Sequence, residues 1–172
     1  MSKDIDNKRE SRQLSKYSGK KLAFSVNNLS SSQKNMLMIK NINAFVQNNP
    51  MVDICVFIEN IIPPCLYCNF AVYHISQAQI YDGTIVSSDY RTFLNTSKTK
   101  RPNHIYYMYD IEWKQQYHGE WNYKNEEFKD VIAGVKKATR CEDYKEIINA
   151  EFGLNDVSVI KDFDIERLLE IA

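Results

Sequence analysis

Glycine and proline are scarce in this chain, with five and four among 172 residues. So little glycine argues against a turn-rich all-β design, and no G-x-G-x-x-G loop for cradling phosphates occurs. No apolar run approaches the ~20 residues needed to cross a bilayer, and the N-terminus lacks the apolar core of a signal peptide. The expected location is therefore cytoplasmic, without a membrane partner. Neither sign of charge prevails, with 22 basic and 22 acidic residues, so nucleic acid is not an expected partner on electrostatic grounds.

Cysteine is limited to Cys55, Cys65, Cys68 and Cys141, which read as reduced thiols where no export signal precedes them. Cys55 sits inside an apolar run and reads as a small core residue. Cys65 and Cys68 form a lone C-x-x-C with His74 six residues further on. Zinc needs four ligands, or three and a water, and no second pair is present. No metal site is expected.

What the chain does have is tyrosine and a regular alternation of strand-like and helix-like segments. Residues 1–20 form a basic arm rich in lysine and arginine, and residues 21–172 read as one domain. Leu22–Val26 is a strand candidate. Ser30, Ser31 and Ser32 offer N-cap hydroxyls to a helix over 32–48, whose Met36, Ile39, Ile42, Phe45 and Val46 recur at spacings of three and four. Val52–Ile58 is a buried strand candidate, so the opening unit is strand–helix–strand. Phe70–Ile75 and Thr84–Ser87 follow as strands, separated by the Asp82-Gly83 turn. Ser88 or Asp89 can cap a helix through Phe93 and Leu94.

The run His104–Trp113 (HIYYMYDIEW) is the apolar centre of the sequence. Its β-prone residues Ile105 to Tyr109 suit a strand buried on both faces. Asp110 and Glu112 follow at its end, two residues apart, and point to the same side if the strand persists. Ligands of open α/β sheets sit at the carboxyl ends of the strands, which makes this acidic pair a site candidate; capping a helix or facing water is the plainer alternative. A helix then starts near residues 124–126. KKATR (136–140) is a short strand, Cys141–Phe152 a helix stopped by Gly153, and Val157–Ile160 a strand. Asp164 caps a closing helix. The fold expected is a doubly wound, mostly parallel α/β sheet with helices on both faces.

The last third, KKATR, then 141–153, then VSVIKDFDIERLL, resembles the segment that closes the N-terminal Rossmann-like domain of two-domain (GT-B) glycosyltransferases. There a strand ends in a serine that opens a helix, the helix ends in an "fG" pair, and a strand runs into a "pnGvDxerf" turn. Phe152-Gly153 matches the pair, Val157–Ile160 the strand, and Lys161-Asp162-Phe163-Asp164 the turn, whose glycine is absent. Asp164 and Arg167 align with the family's aspartate and the basic position after it, and Arg140 or Cys141 stands in place of the serine. IYYMYDIEW together with TIVSSDYRTFLNT is also similar to short glycosyltransferase-like proteins of tailed bacteriophages, which would place the protein in a host cytoplasm. The resemblance covers roughly residues 70–172.

The resemblance implies transfer of a sugar from a nucleotide-sugar donor to a hydroxyl, with His74, Asp110 or Glu112 as the general base. Arg91, Lys98, Lys100 and Arg101 could then meet the donor phosphates as charge-assisted donors; a solvated charge run is the plainer reading of the same residues. Trp113, Tyr109, Ser87, Ser88 and Asp164 would line the substrate. Tyr106, Tyr107, Tyr117, Trp121 and Tyr123 would extend a stacking surface. Asp110 and Glu112 could alternatively hold a divalent cation. The family binds its donor through a C-terminal domain that has no counterpart here, so the donor half would come from a partner chain or a second copy. A non-catalytic Rossmann-like accessory or assembly module is the other reading of the same residues.

Overall fold

The computed structural model describes residues 16–17, 19–98, 103–111 and 125–172. Strands β1 (Lys21–Val26), β2 (Asp53–Ile58), β3 (Ala71–His74), β4 (Thr84–Ser87), β5 (Asn103–Met108), β6 (Lys136–Thr139) and β7 (Val157–Val159) alternate with helices α1 (Gln33–Asn48), α2 (Tyr90–Ser97), α3 (Asn125–Ala133), α4 (Glu142–Phe152) and α5 (Ile165–Ile171). A 3₁₀ segment, Ile75–Ile80, links β3 to β4.

Among the described residues the strands form one sheet in the order β3-β2-β1-β4-β5-β6-β7. Every pairing is parallel. This is the doubly wound Rossmann-like arrangement. The chain builds outward from β1 in one direction and then, from β4, in the other, so a topological switch point falls between those two strands.

Local chemistry sets most element ends. Ser32 caps α1 by accepting from Asn35 N at 3.1 Å. Asp89, rather than Ser88, caps α2 by accepting from Thr92 N at 2.9 Å. Gly153 ends α4 at φ 66°, the left-handed geometry that costs glycine least. At Gly83 the constraint is space: a Cβ there would lie 2.6 Å from both the Cβ and the carbonyl oxygen of Lys21.

The strands are apolar on both faces, as a sheet covered by helices on either side requires. On one side Phe24, Val56, Ile105 and Tyr107 pack with Met38, Ile39 and Ile42 of α1 and with Leu168 and Leu169 of α5. The opposite side splits into two clusters. Tyr106 and Met108 meet Phe93, Ile132, Ile148 and Phe152 from α2, α3 and α4, while Ala23, Cys55, Phe57 and Ile85 meet Ala78 of the 3₁₀ segment. Each fully buried side chain of this kind contributes about 1.5–3 kcal/mol.

Phe163 ties the last segment to the sheet, its ring 4.6 Å from that of Tyr107 and 5.3 Å from that of Tyr109. The Tyr107 hydroxyl donates to Ile160 O at 2.6 Å and accepts from Phe163 N at 3.4 Å.

Three expectations change. The domain starts before residue 21, because Tyr17 is buried against Phe45 with ring centroids 5.7 Å apart; the rest of the arm, residues 1–15 and 18, lies outside the described residues. β5 ends at Met108, so the extended register that would align Asp110 with Glu112 is not continued. Tyr106, Tyr107 and Tyr109 are core residues rather than an open stacking surface, since both faces of β5 are covered.

Candidate functional site

The carboxyl ends of β1 and β4 meet at the switch point. Ser25 and Ser87 lie in register there, and their hydroxyls are hydrogen-bonded at 2.7 Å inside the core. Ser87 Oγ also contacts Thr96 Oγ1 at 3.2 Å, and Thr92 Oγ1 donates to Ser25 O at 3.1 Å. Ser87 is thus a structural hydroxyl with no exposed surface. Ser88 follows it, 1 % exposed, and its hydroxyl has no hydrogen-bond partner. A buried polar group in that state costs about 1–3 kcal/mol.

The β1–α1 loop folds over this point without glycine. Asn28 Oδ1 accepts from Ser30 N at 2.9 Å, and Asn35 Nδ2 donates to Asn28 O and Ser30 O at 3.0 and 2.9 Å. Asn35 Oδ1 is buried and unpartnered, the second such atom here. Lys34, in the first turn of α1, reaches across to donate to Ser88 O at 3.3 Å and lies 4.0 Å from the Asp89 carboxylate. Beyond β2, Glu59 accepts from Asn95 Nδ2 and pairs with Arg91 Nε at 2.9 Å. Together these make a rim of hydroxyls, amides and held charges at the switch point, the place where doubly wound sheets bind ligands.

Among the described residues, the expected site residues do not converge. His74 ends β3, an outer strand, and is exposed; its Nδ1 accepts from Ser76 N at 3.3 Å and sits 2.9 Å from Ser76 Oγ. Asp110 follows β5, four strands away, so at about 4.8 Å per strand the two are roughly 19 Å apart. They cannot serve one reacting atom together. Arg91 is engaged by Glu59, and Asp164 caps α5 by accepting from Arg167 N at 3.2 Å. Glu112, Trp113 and Arg101 lie outside the described residues, as do Tyr117, Trp121 and Tyr123. Cys65 and Cys68 are free thiols packed at the edge of the core. Among the described residues no three His, Cys, Asp or Glu side chains come together as metal ligands.

Lys34, Asn35 and Glu59 were not singled out from the sequence, and Arg140 entered only as a residue in place of the family's serine. Glu59 had a usable signal, because it follows an apolar strand just as Asp110 does. The others are brought to the strand ends by topology alone.

Arg140 follows β6 and lies between two tyrosines. Its guanidinium is 4.8 Å from the Tyr109 ring centroid and 4.6 Å from that of Tyr144, and it donates to Tyr144 Oη at 2.6 Å. Partial burial opposes its charge, but the phenol groups outweigh that and its pKa stands above the ordinary arginine value. Burial raises the Tyr109 hydroxyl, with Arg140 pulling the other way. That hydroxyl closes no hydrogen bond of ordinary geometry.

A polar groove of about 1060 Å³ lies between α1 and α5, with Asn41, Asn48, Asp162, Asp164 and Arg167 among its lining. None of the switch-point residues named above lines it.

No family model, curated protein or solved structure matches this chain. The fold itself defines the class, a Rossmann-like α/β protein. Among the described residues no helix is long and apolar enough to cross a membrane.

Proposed function

We propose that the chain is a glycosyltransferase-like half-domain that binds the sugar-bearing acceptor at the switch point between β1 and β4. The observation that carries this reading is the buried, unpartnered Ser88 hydroxyl beside Lys34 and the α1 amino terminus. The surrounding serine, threonine and asparagine groups suit the hydroxyls of a sugar. The loop's own side chains occupy donors that a diphosphate would otherwise use, because Asn28 takes the Ser30 amide and Ser32 takes that of Asn35. The turn after β7 adds support from the other end of the chain. Asp162 holds φ 47°, left-handed geometry at the position where the family's turn has glycine. Transfer would draw the nucleotide-sugar donor from a partner chain or a second copy.

The test is a thermal-shift screen of the purified chain against free sugars, nucleotides and nucleotide sugars, with and without divalent cations, repeated on Ser88→Ala. A ligand at a hundred times its Kd stabilises by about 2.7 kcal/mol, roughly 5–10 °C at this chain length. A sugar ligand whose shift shrinks in Ser88→Ala supports the acceptor site. A shift that Ser88→Ala leaves unchanged places binding elsewhere.

A second reading is a non-catalytic accessory or assembly module, and one observation favours it. β3 is an outer strand exposed along its length, and the loop before it presents Ile61 and Tyr67, 83 % and 82 % exposed. Large apolar side chains gathered at a sheet edge mark interaction surfaces. Flat melting curves across the whole panel would favour this reading.

A further inference from the structure

We propose that Arg140, clasped by Tyr109 and Tyr144, forms a second site at the ends of β5 and β6 that binds a carboxylate or phosphate group. A partly buried arginine ordinarily pairs with a carboxylate, yet none of the described residues places one within ion-pair distance of this guanidinium. Its hydrogen bond is to a neutral phenol instead. The two flanking rings fix the plane of the guanidinium, which pre-orients its remaining N–H donors. That fork matches two oxygens of one oxyanion.

Two further features face the same place. Tyr109 is buried, and its hydroxyl faces Arg140 without closing a hydrogen bond of ordinary geometry, so a ligand oxygen beside Arg140 could accept from it. Helix α4 starts directly after Arg140, and its N-cap residue Cys141 makes no side-chain cap, leaving first-turn N–H groups to a ligand. Negative groups also lie nearby. Glu142 and Asp143 occupy that first turn, both exposed, with Glu142 3.6 Å from Lys145. Asp110 and Asp162 act on the Tyr109 hydroxyl from further away. Exposed carboxylates are screened by solvent and salt, whereas the guanidinium is partly shielded. The site does not depend on the acceptor reading, because it is built at the ends of β5 and β6, whereas the switch point lies at the ends of β1 and β4.

The experiment follows the Arg140 Nε–H resonance of the full chain by ¹H–¹⁵N NMR during separate titrations with inorganic phosphate, acetate and chloride at matched ionic strength. Tyr144→Phe, which removes a direct contact of the guanidinium, identifies the resonance. A saturable shift with phosphate or acetate, and none with chloride, is the expected result, and the anion that saturates first distinguishes phosphate from carboxylate. Arg140→Lys keeps the charge but loses the fork, and should bind about tenfold more weakly. Arg140→Lys binding as tightly as the parent would overturn the proposal, as would a shift shared by chloride or no saturable shift at all. If Arg140→Lys does not fold, the titration of the parent decides alone. Ser88→Ala should leave this titration unchanged, which separates it from the test of the acceptor site.

Discussion

The hydroxyls of Ser25 and Ser87 meet 2.7 Å apart with both residues fully buried, and this contact joins the two strands at which the sheet reverses its order. Ser25→Ala strips a partner from Ser87 inside the core and should cost about 1–3 kcal/mol. The double variant Ser25→Ala/Ser87→Ala removes donor and acceptor together, so it should lose less than the sum of the two single changes. Urea unfolding of the three variants measures this, and strict additivity would count against a direct bond.

Asp162 and Phe163 hold φ 47° and 57°, a region that costs an ordinary residue about 1–2 kcal/mol. Phe163 cannot be exchanged freely, because its ring fills the space against Tyr107 and Tyr109. Asp162 is half-buried and can be. Asp162→Gly should raise Tm, whereas Phe163→Ala should destabilise by about 3–5 kcal/mol. A fall in Tm for Asp162→Gly would mean that the aspartate side chain, rather than the backbone shape, is what matters in the turn.

Gly83 touches the backbone of Lys21 so closely that no side chain fits without moving β1 or the turn. Gly83→Ala should therefore destabilise by about 1–3 kcal/mol, while Gly134→Ala, where a Cβ meets nothing within 4 Å, should be nearly neutral. Paired thermal melts of the two variants check this.

Cys55 gives a pH prediction. Burial, with Asp53 adding to it, raises its thiol to about 12, against about 8.5 in an unfolded chain. The folded state therefore holds the proton more tightly. The stability linked to this group is complete below pH ~8.5 and is lost as pH rises toward 12. Cys55→Ala should show a shallower loss of stability over that window, and native Cys55 should resist iodoacetamide far longer than Cys65 or Cys68. Equal labelling rates would contradict its burial.

The parts of this molecule that could be read from sequence are those fixed by neighbouring residues. Ser32, Asp164 and Gly153 act within one helical turn, and the strand spans follow from continuous apolar runs, so their positions emerged within a residue or two. Which of Ser88 and Asp89 would cap α2 stayed open, because both are good caps and only packing against β1 buries the serine. Asp110 was a fair candidate by position, but its companionship with Glu112 assumed a strand that stops at Met108. The pairing of Arg91 with Glu59, and the stacking of Arg140 on Tyr109, join residues about 30 apart. No local pattern announces contacts of that kind.

The strand order has one more result. β1, β2 and β3 come from residues 21–74, and β4 to β7 from residues 84–159, so each half of the sheet is one continuous stretch of chain. Within the sheet the halves touch along a single seam, β1 against β4, with Asp82-Gly83 in the connection between them. Helix α5, from the end of the chain, returns to its start, where its first-turn Glu166 accepts from the Tyr17 hydroxyl at 3.1 Å. The fold is in effect two sequential modules buttoned together, with the serine pair as one fastening and the closing helix as the other.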